Sequence, residues 1–292
     1  MQPPPPSSRR LARRATLLVS CPDRKGLVAE LAQVLYRLGA NILDADQHAD
    51  DDAGQFFQRL LFETGETPPL DQLERVLGEA AAALGMTWRL RTTARPTNVA
   101  VFVSKYSHCL QDLLWRHQIG ELPCAIRAIV SNHRDLEPVA AQFAVPFHFI
   151  PVTAETKPSA EAETLALLTS LEIDLAVFAR YMQIVSPGFI RRAPAVINIH
   201  HSFLPAFVGQ KPYHQAHARG VKLIGATAHY VTADLDQGPI IDQDVARISH
   251  RDAVEDLIRK GRDLERVVLA RAVRLHLEDR VLVYGNKTVV FD

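Results

Sequence analysis

The chain has 292 residues, 47% of them hydrophobic and 23% charged, which is the profile of a soluble globular protein with core enough for two domains. Lys+Arg and Asp+Glu both number 33, and this zero net charge excludes a global attraction to nucleic acid or anionic lipid. Three cysteines (Cys21, Cys109, Cys124) in no CxxC arrangement exclude a disulfide framework and fit a reducing, cytoplasmic setting, and no apolar run approaches the roughly 18 to 20 residues that cross a bilayer.

Residues 1–14 hold four prolines and four arginines, with no apolar h-region of a signal peptide, and are expected to form a disordered tail. Residues 15–21 read as a strand and 22–26 as a turn. Leu27, Leu31, Val34, Leu35 and Leu38 recur at helical spacing until Gly39 stops the helix. Strands are expected over 40–47 and 55–63, joined by a hairpin loop at 50–54. A helix follows from 67 to about 84, opened by Thr67-Pro68-Pro69, and then a strand over 87–92. This βαββαβ order is the ferredoxin-like arrangement, assigned to a domain over 15–93, with 93–97 as a linker.

From 98 onward the pattern alternates. Strands over 98–103, 125–131, 147–151 and 175–179 are interleaved with helices near 110–115, 137–143 and 160–171. That alternation predicts a Rossmann-like, mostly parallel α/β domain over 98–292, with ligands beyond the carboxyl ends of the strands. Strands follow over 195–199, 225–231 and 240–248, then a helix over 253–277. A final hairpin turns at Gly285-Asn286.

Asn198 and His200 lie two apart on an otherwise apolar strand, so they share a face, and such polar groups belong at a strand end beside a cleft. Asp236 sits in Leu235-Asp236-Gln237-Gly238-Pro239, a loop that can aim it into the same cleft. An amide can donate to an oxyanion, a histidine can donate or move a proton, and a carboxylate can orient both the histidine and a water. On residue chemistry alone the Asn-x-His pair also reads as structural, and the Asp as a turn residue. His200-His201 shows no metal spacing such as HExxH. His201, His214 and His217 are expected in loops or on the surface, and Cys109 as a packed thiol.

The stretch Asn198-Ile199-His200-His201-Ser202-Phe203-Leu204-Pro205 resembles the signature of the formyltransferases that use 10-formyltetrahydrofolate. Gly225-Ala226-Thr227-Ala228-His229-Tyr230-Val231 and Leu235-Asp236-Gln237-Gly238-Pro239 share that resemblance. It implies a catalytic trio of Asn198, His200 and Asp236, and no metal or cofactor. It also implies a folate site at Met182, Gln183, Ile184 and Val185, with His229 lining the cleft and Asp234 and Gly238 near the pterin. Gly209-Gln210-Lys211-Pro212-Tyr213-His214-Gln215-Ala216, Arg219-Gly220-Val221-Lys222 and Val283-Tyr284-Gly285-Asn286 resemble the formyltetrahydrofolate deformylase branch.

Asp23-Arg24-Lys25-Gly26-Leu27-Val28 with Gly39-Ala40-Asn41-Ile42 resembles an ACT domain. This implies an effector site at Asp23, Gly26 and Asn41 for a small amino acid such as glycine or methionine, and a homo-oligomer. The loop Ser104-Lys105-Tyr106-Ser107-His108 lacks the glycines of a phosphate-binding loop, which favours water over a ribonucleotide as formyl acceptor. The implied activity is release of formate for one-carbon and purine metabolism. The rivals are a true formyltransferase and a non-catalytic sensor.

Overall fold

The computed structural model describes residues 13–65, 69–92, 95–205 and 212–292. Residues 1–12 of the tail expected over 1–14, the helix start at 67–68, part of the linker at 93–94 and the motif residues 209–211 lie outside these, while Arg13 and Arg14 belong to the first strand rather than the tail. The chain divides into two compact units. One is 1–95 with Asp279–Leu282 and Val289–Asp292; the other is Pro96–Glu278 with Val283–Thr288.

In the first unit, β1 (Arg13–Pro22), α1 (Leu27–Arg37), β2 (Asn41–Asp50), β3 (Gln55–Thr64), α2 (Leu70–Leu84) and β4 (Thr87–Thr92) follow the expected order. The sheet runs β2-β3-β1-β4, antiparallel throughout. Alternate side chains of β1 (Ala15, Leu17, Val19, Cys21) pack with Phe56, Leu60 and Phe62 of β3. The helices close this face with Leu27, Leu31 and Leu35 of α1 and Leu73, Leu77 and Ala81 of α2, stripes at helical spacing. The sequence division at 98–292 differs from the structure at its far end. Residues 279–282 and 289–292 group with this first unit, where Arg59 donates to the Asp279 carbonyl at 3.0 Å and Arg91 to its carboxylate at 3.2 Å.

The second unit contains β5 (Thr97–Val103), α3 (His108–Gln118), β6 (Cys124–Ser131), α4 (Glu137–Gln142), β7 (Phe147–Phe149) and α5 (Lys157–Ser170). It continues with β8 (Leu175–Phe178), α6 (Pro187–Ile190), β9 (Ala195–His200), α7 (Pro212–Arg219), β10 (Leu223–Tyr230), β11 (Ile240–Arg247) and α8 (Val254–Leu277). The hairpin β12 (Val281–Tyr284) and β13 (Lys287–Val290) ends the chain. The short helices α6 and α7 have no counterpart in the sequence reading.

The seven-stranded sheet runs β11-β10-β9-β8-β5-β6-β7. Strands β5 to β9 are parallel, and β10 is antiparallel to both neighbours. Every residue from Val99 to Val103 and from Leu175 to Phe178 is buried, as expected for strands covered on both faces. The chain first builds outward from β5 through β6 to β7, then returns to place β8 on the other side. This order reversal lies between β5 and β8, and the carboxyl ends of β8 and β9 open beside it.

Candidate active site

Polar residues end the apolar strands at this edge of the sheet. His200 is the last residue of β9, and Asn198 lies opposite His229 of β10. The loop after β10 brings Asp236 over them with φ 55, a left-handed conformation that Asp tolerates better than most residues. Gly238 makes that approach possible, because a Cβ there would lie 1.7 Å from the Tyr230 carbonyl oxygen. The loop is further tied down by the Tyr230 amide, which donates to the Pro239 carbonyl at 2.9 Å.

His200 Nδ1 is 3.3 Å from Asp236 Oδ2, and His229 Nε2 is 3.7 Å from Asp236 Oδ1. Asn198 Nδ2 lies 3.3 Å from His229 Nε2. Contact with His200 first, and with His229 second, holds the Asp236 carboxyl well below the usual carboxylate range. His200 Nε2 is buried and has no hydrogen-bond partner. The loop after β9 is braced by Thr227, whose hydroxyl donates to the Ser202 carbonyl at 2.9 Å and accepts from the Leu204 amide at 3.1 Å.

These groups sit at one end of a cavity of about 380 Å³. Met182, Gln183, Ile184, Val185 and His229 line it, together with Asn198, His200 and Asp236. Asp234 and Gly238 do not; Gly238 instead packs the Asp236 loop against β10. Met182, Ile184 and Leu235 are more than half exposed, an apolar wall open to a flat ligand. The wall is held at both ends. The buried Ser104 hydroxyl accepts from the Met182 amide at 2.9 Å and donates to Asn132 Oδ1 at 2.7 Å. Glu161 of α5 accepts from the Ser186 amide at 2.8 Å and from its hydroxyl.

Arg180 begins the stretch, and Leu235 lies in the loop, that the family resemblance puts near the pterin; both line the cavity, as does His201, which the sequence reading gave no role. His201 lies, as expected, in a loop, the one after β9, but it is half-buried there and its ring stacks on His200 at 5.0 Å between centroids. Burial first, then Arg180 and His200, push it down to about 4. A charged residue directly after an apolar parallel strand was the signal for Arg180. Cys109 is a buried free thiol pushed well up by burial, and His214 and His217 are exposed. In the first unit Asp23, Gly26 and Asn41 are all exposed. Gly26 stands before α1 with φ 96, the Asp23 amide donates to the Gly54 carbonyl at 2.9 Å, and Asn41 Nδ2 lies 3.5 Å from Glu63 Oε1.

The fold and the site together define a formyltransferase-type catalytic domain joined to an ACT domain. Residues 97–273 match the formyl transferase family model and 15–82 the ACT domain model. A formyltetrahydrofolate deformylase of Synechocystis is 55% identical over 278 residues, 95% of this chain and 98% of the relative. The Escherichia coli K12 deformylase is 39% identical over 280 residues, with 95% and 98% covered. The crystal structure of a formyltetrahydrofolate deformylase from Pseudomonas syringae superposes with a TM-score of 0.92 at 48% identity, covering 96% of this chain and 95% of that one. A glycinamide ribonucleotide transformylase from Symbiobacterium toebii superposes with a TM-score of 0.65 at 30% identity, covering 70% of this chain and 98% of that one. The chain belongs to the formyltetrahydrofolate deformylase family.

Proposed function

We propose that this chain hydrolyses 10-formyltetrahydrofolate to formate and tetrahydrofolate, with Asn198, His200 and Asp236 as the catalytic groups. The observation that carries the assignment of roles is the buried, unpartnered His200 Nε2 at the inner end of an apolar-walled cavity, with Asp236 on its Nδ1. The carboxylate fixes the proton of neutral His200 on Nδ1 and leaves Nε2 to accept a proton from water, or to donate one once charged. His229 Nδ1 lies 2.9 Å from the Tyr230 carbonyl, which accepts its N–H and orients the ring. Asn198, 3.3 Å from the His229 ring nitrogen, offers an amide N–H to the formyl oxygen.

Water, oriented by Asp236 and His200, adds to the formyl carbon while Asn198 stabilises the oxyanion. Collapse breaks the carbon–N10 bond, and the proton taken from water returns to N10. None of these steps calls on a metal or an organic cofactor. Met182 to Val185 and His229 hold the pterin end, with the exposed Met182, Ile184 and Leu235 side chains as its apolar wall. The formate supplies one-carbon and purine metabolism. The ACT domain senses a small amino acid, with glycine and methionine as the effectors to test first. A homo-oligomer and a cytoplasmic setting belong to the same reading, supported by the ACT module and three free thiols. No described helix is long and apolar enough to cross a membrane.

The test is incubation with 10-formyltetrahydrofolate in buffer without an amine. Formate and tetrahydrofolate appearing in equal amounts is the expected result. Turnover only after an amine is supplied would make the protein a transferase.

A further inference from the structure

A buried charged cluster adjoins the cavity through Arg180. Glu265 of α8 is 1% exposed, and both its oxygens are engaged. His108 Nε2 lies 2.8 Å from Oε2, Tyr213 donates to Oε1 at 2.9 Å, and Arg180 Nε stands 3.4 Å from Oε2. Gly261, one turn earlier on α8, admits Tyr213: a Cβ there would lie 1.9 Å from the Tyr213 hydroxyl. His201 packs between this cluster and the site, 6.2 Å from the Tyr213 ring and stacked on His200. Arg180 follows β8 in a left-handed conformation (φ 66), and its guanidinium lies 5.4 Å from the Tyr106 ring. It is the member of the cluster that also lines the catalytic cavity.

Hydrolysis and formyl transfer differ only in the nucleophile that reaches the formyl carbon. We propose that Arg180, ion-paired with Glu265, is the specificity-determining residue that restricts the acceptor to water. This rests on the hydrolase reading above. The side chain occupies volume that an amine acceptor needs beside the trio. Its fixed, poorly solvated charge also opposes an incoming ammonium, the form in which most amines arrive. The same cation contributes to holding His201 neutral.

Removing Arg180 opens a second reaction. The amine nitrogen bonds to the formyl carbon, the carbon–N10 bond breaks, and the proton lost by the amine ends on N10. The experiment supplies excess glycinamide with 10-formyltetrahydrofolate and measures formate and N-formylglycinamide separately. The proteins are wild type, Arg180→Ala, and Arg180→Ala combined with Glu265→Gln, which leaves no buried carboxylate without its cation. Wild type is expected to release formate alone. At least one variant is expected to shift the amine-to-water partition by about tenfold or more. If both variants hydrolyse and still make no formylamide, or if wild type makes as much as they do, the proposal is overturned. Should both variants fail to fold, Arg180→Met, which removes the charge and the guanidinium but keeps an apolar stem, is the deciding variant: an unchanged partition overturns the proposal. Failure of wild type to release formate without amine would instead strike the hydrolase reading.

Discussion

The two candidate ligand sites use similar residue types in opposite surroundings. In the second unit the buried His200 and His229 and the half-buried Asn198 and Asp236 are linked by contacts of 3.3 to 3.7 Å. In the first unit Asp23, Gly26 and Asn41 are exposed, and the neighbouring ion pair Arg24–Glu30, at 3.4 Å, has both side chains nearly half exposed. Charges removed from water interact strongly and hold fixed positions, which is what stabilising a developing oxyanion requires. Charges left in water are screened and contribute little to stability. The same kind of substitution should therefore have unequal consequences in the two places.

The largest effect is expected at Asp236. Asp236→Asn removes the charge that orients His200, and kcat should fall about 1000-fold, close to 4 kcal/mol, with folate affinity nearly unchanged. Single-turnover kinetics and a binding titration separate the two quantities; near-normal turnover would reduce the buried cluster to a structural feature. The next effect is read in pH. His201 is pushed from 6.5 to about 4. As pH falls through 6.5 the unfolded chain takes up a proton that the folded chain refuses until about 4, so stability declines across that window and levels off below it. His201→Gln should abolish up to about 3 kcal/mol of that decline. Urea unfolding at several pH values measures it, and an unchanged slope would place its origin elsewhere.

Gly238→Ala sharpens the contrast from the backbone side. The added methyl meets the Tyr230 carbonyl, so the Asp236 loop must lift from β10. A loss of about 2 kcal/mol in stability, together with reduced kcat, is expected; a silent variant would mean that the loop need not sit so close. The smallest effect belongs to the open site. Arg24→Ala should change unfolding free energy by about 0.5 kcal/mol or less. A larger drop would show that this surface is covered in the working protein.

Much of the candidate site was legible because strand periodicity is strict and the family resemblance singled out these residues. Two polar residues spaced by two on an apolar strand share a face, and a turn-forming loop can carry a third group to them. The wall from Met182 to Val185 was read from a family likeness and does line the cavity. Asp234 and Gly238 show where such reading stops: a loop's sequence does not say which of its residues face inward. Helix α6 was missed because it is four residues long, too short for a period. It is started by the Ser186 hydroxyl, which accepts from the Phe189 amide at 3.1 Å.

The sequence by itself determined the two fold classes, the order of their elements and the family, and through the family resemblance it proposed the Asn198–His200–Asp236 trio. These depend on local propensity, on period, and on motifs carried within short stretches. Only the tertiary structure decided that Arg180 meets Glu265, that His201 is half-buried near Arg180 and held neutral, and that Asp279 returns to the arginines of the N-terminal sheet. Each of these pairs joins residues from different elements, and no local pattern fixes which distant charge a buried side chain will meet.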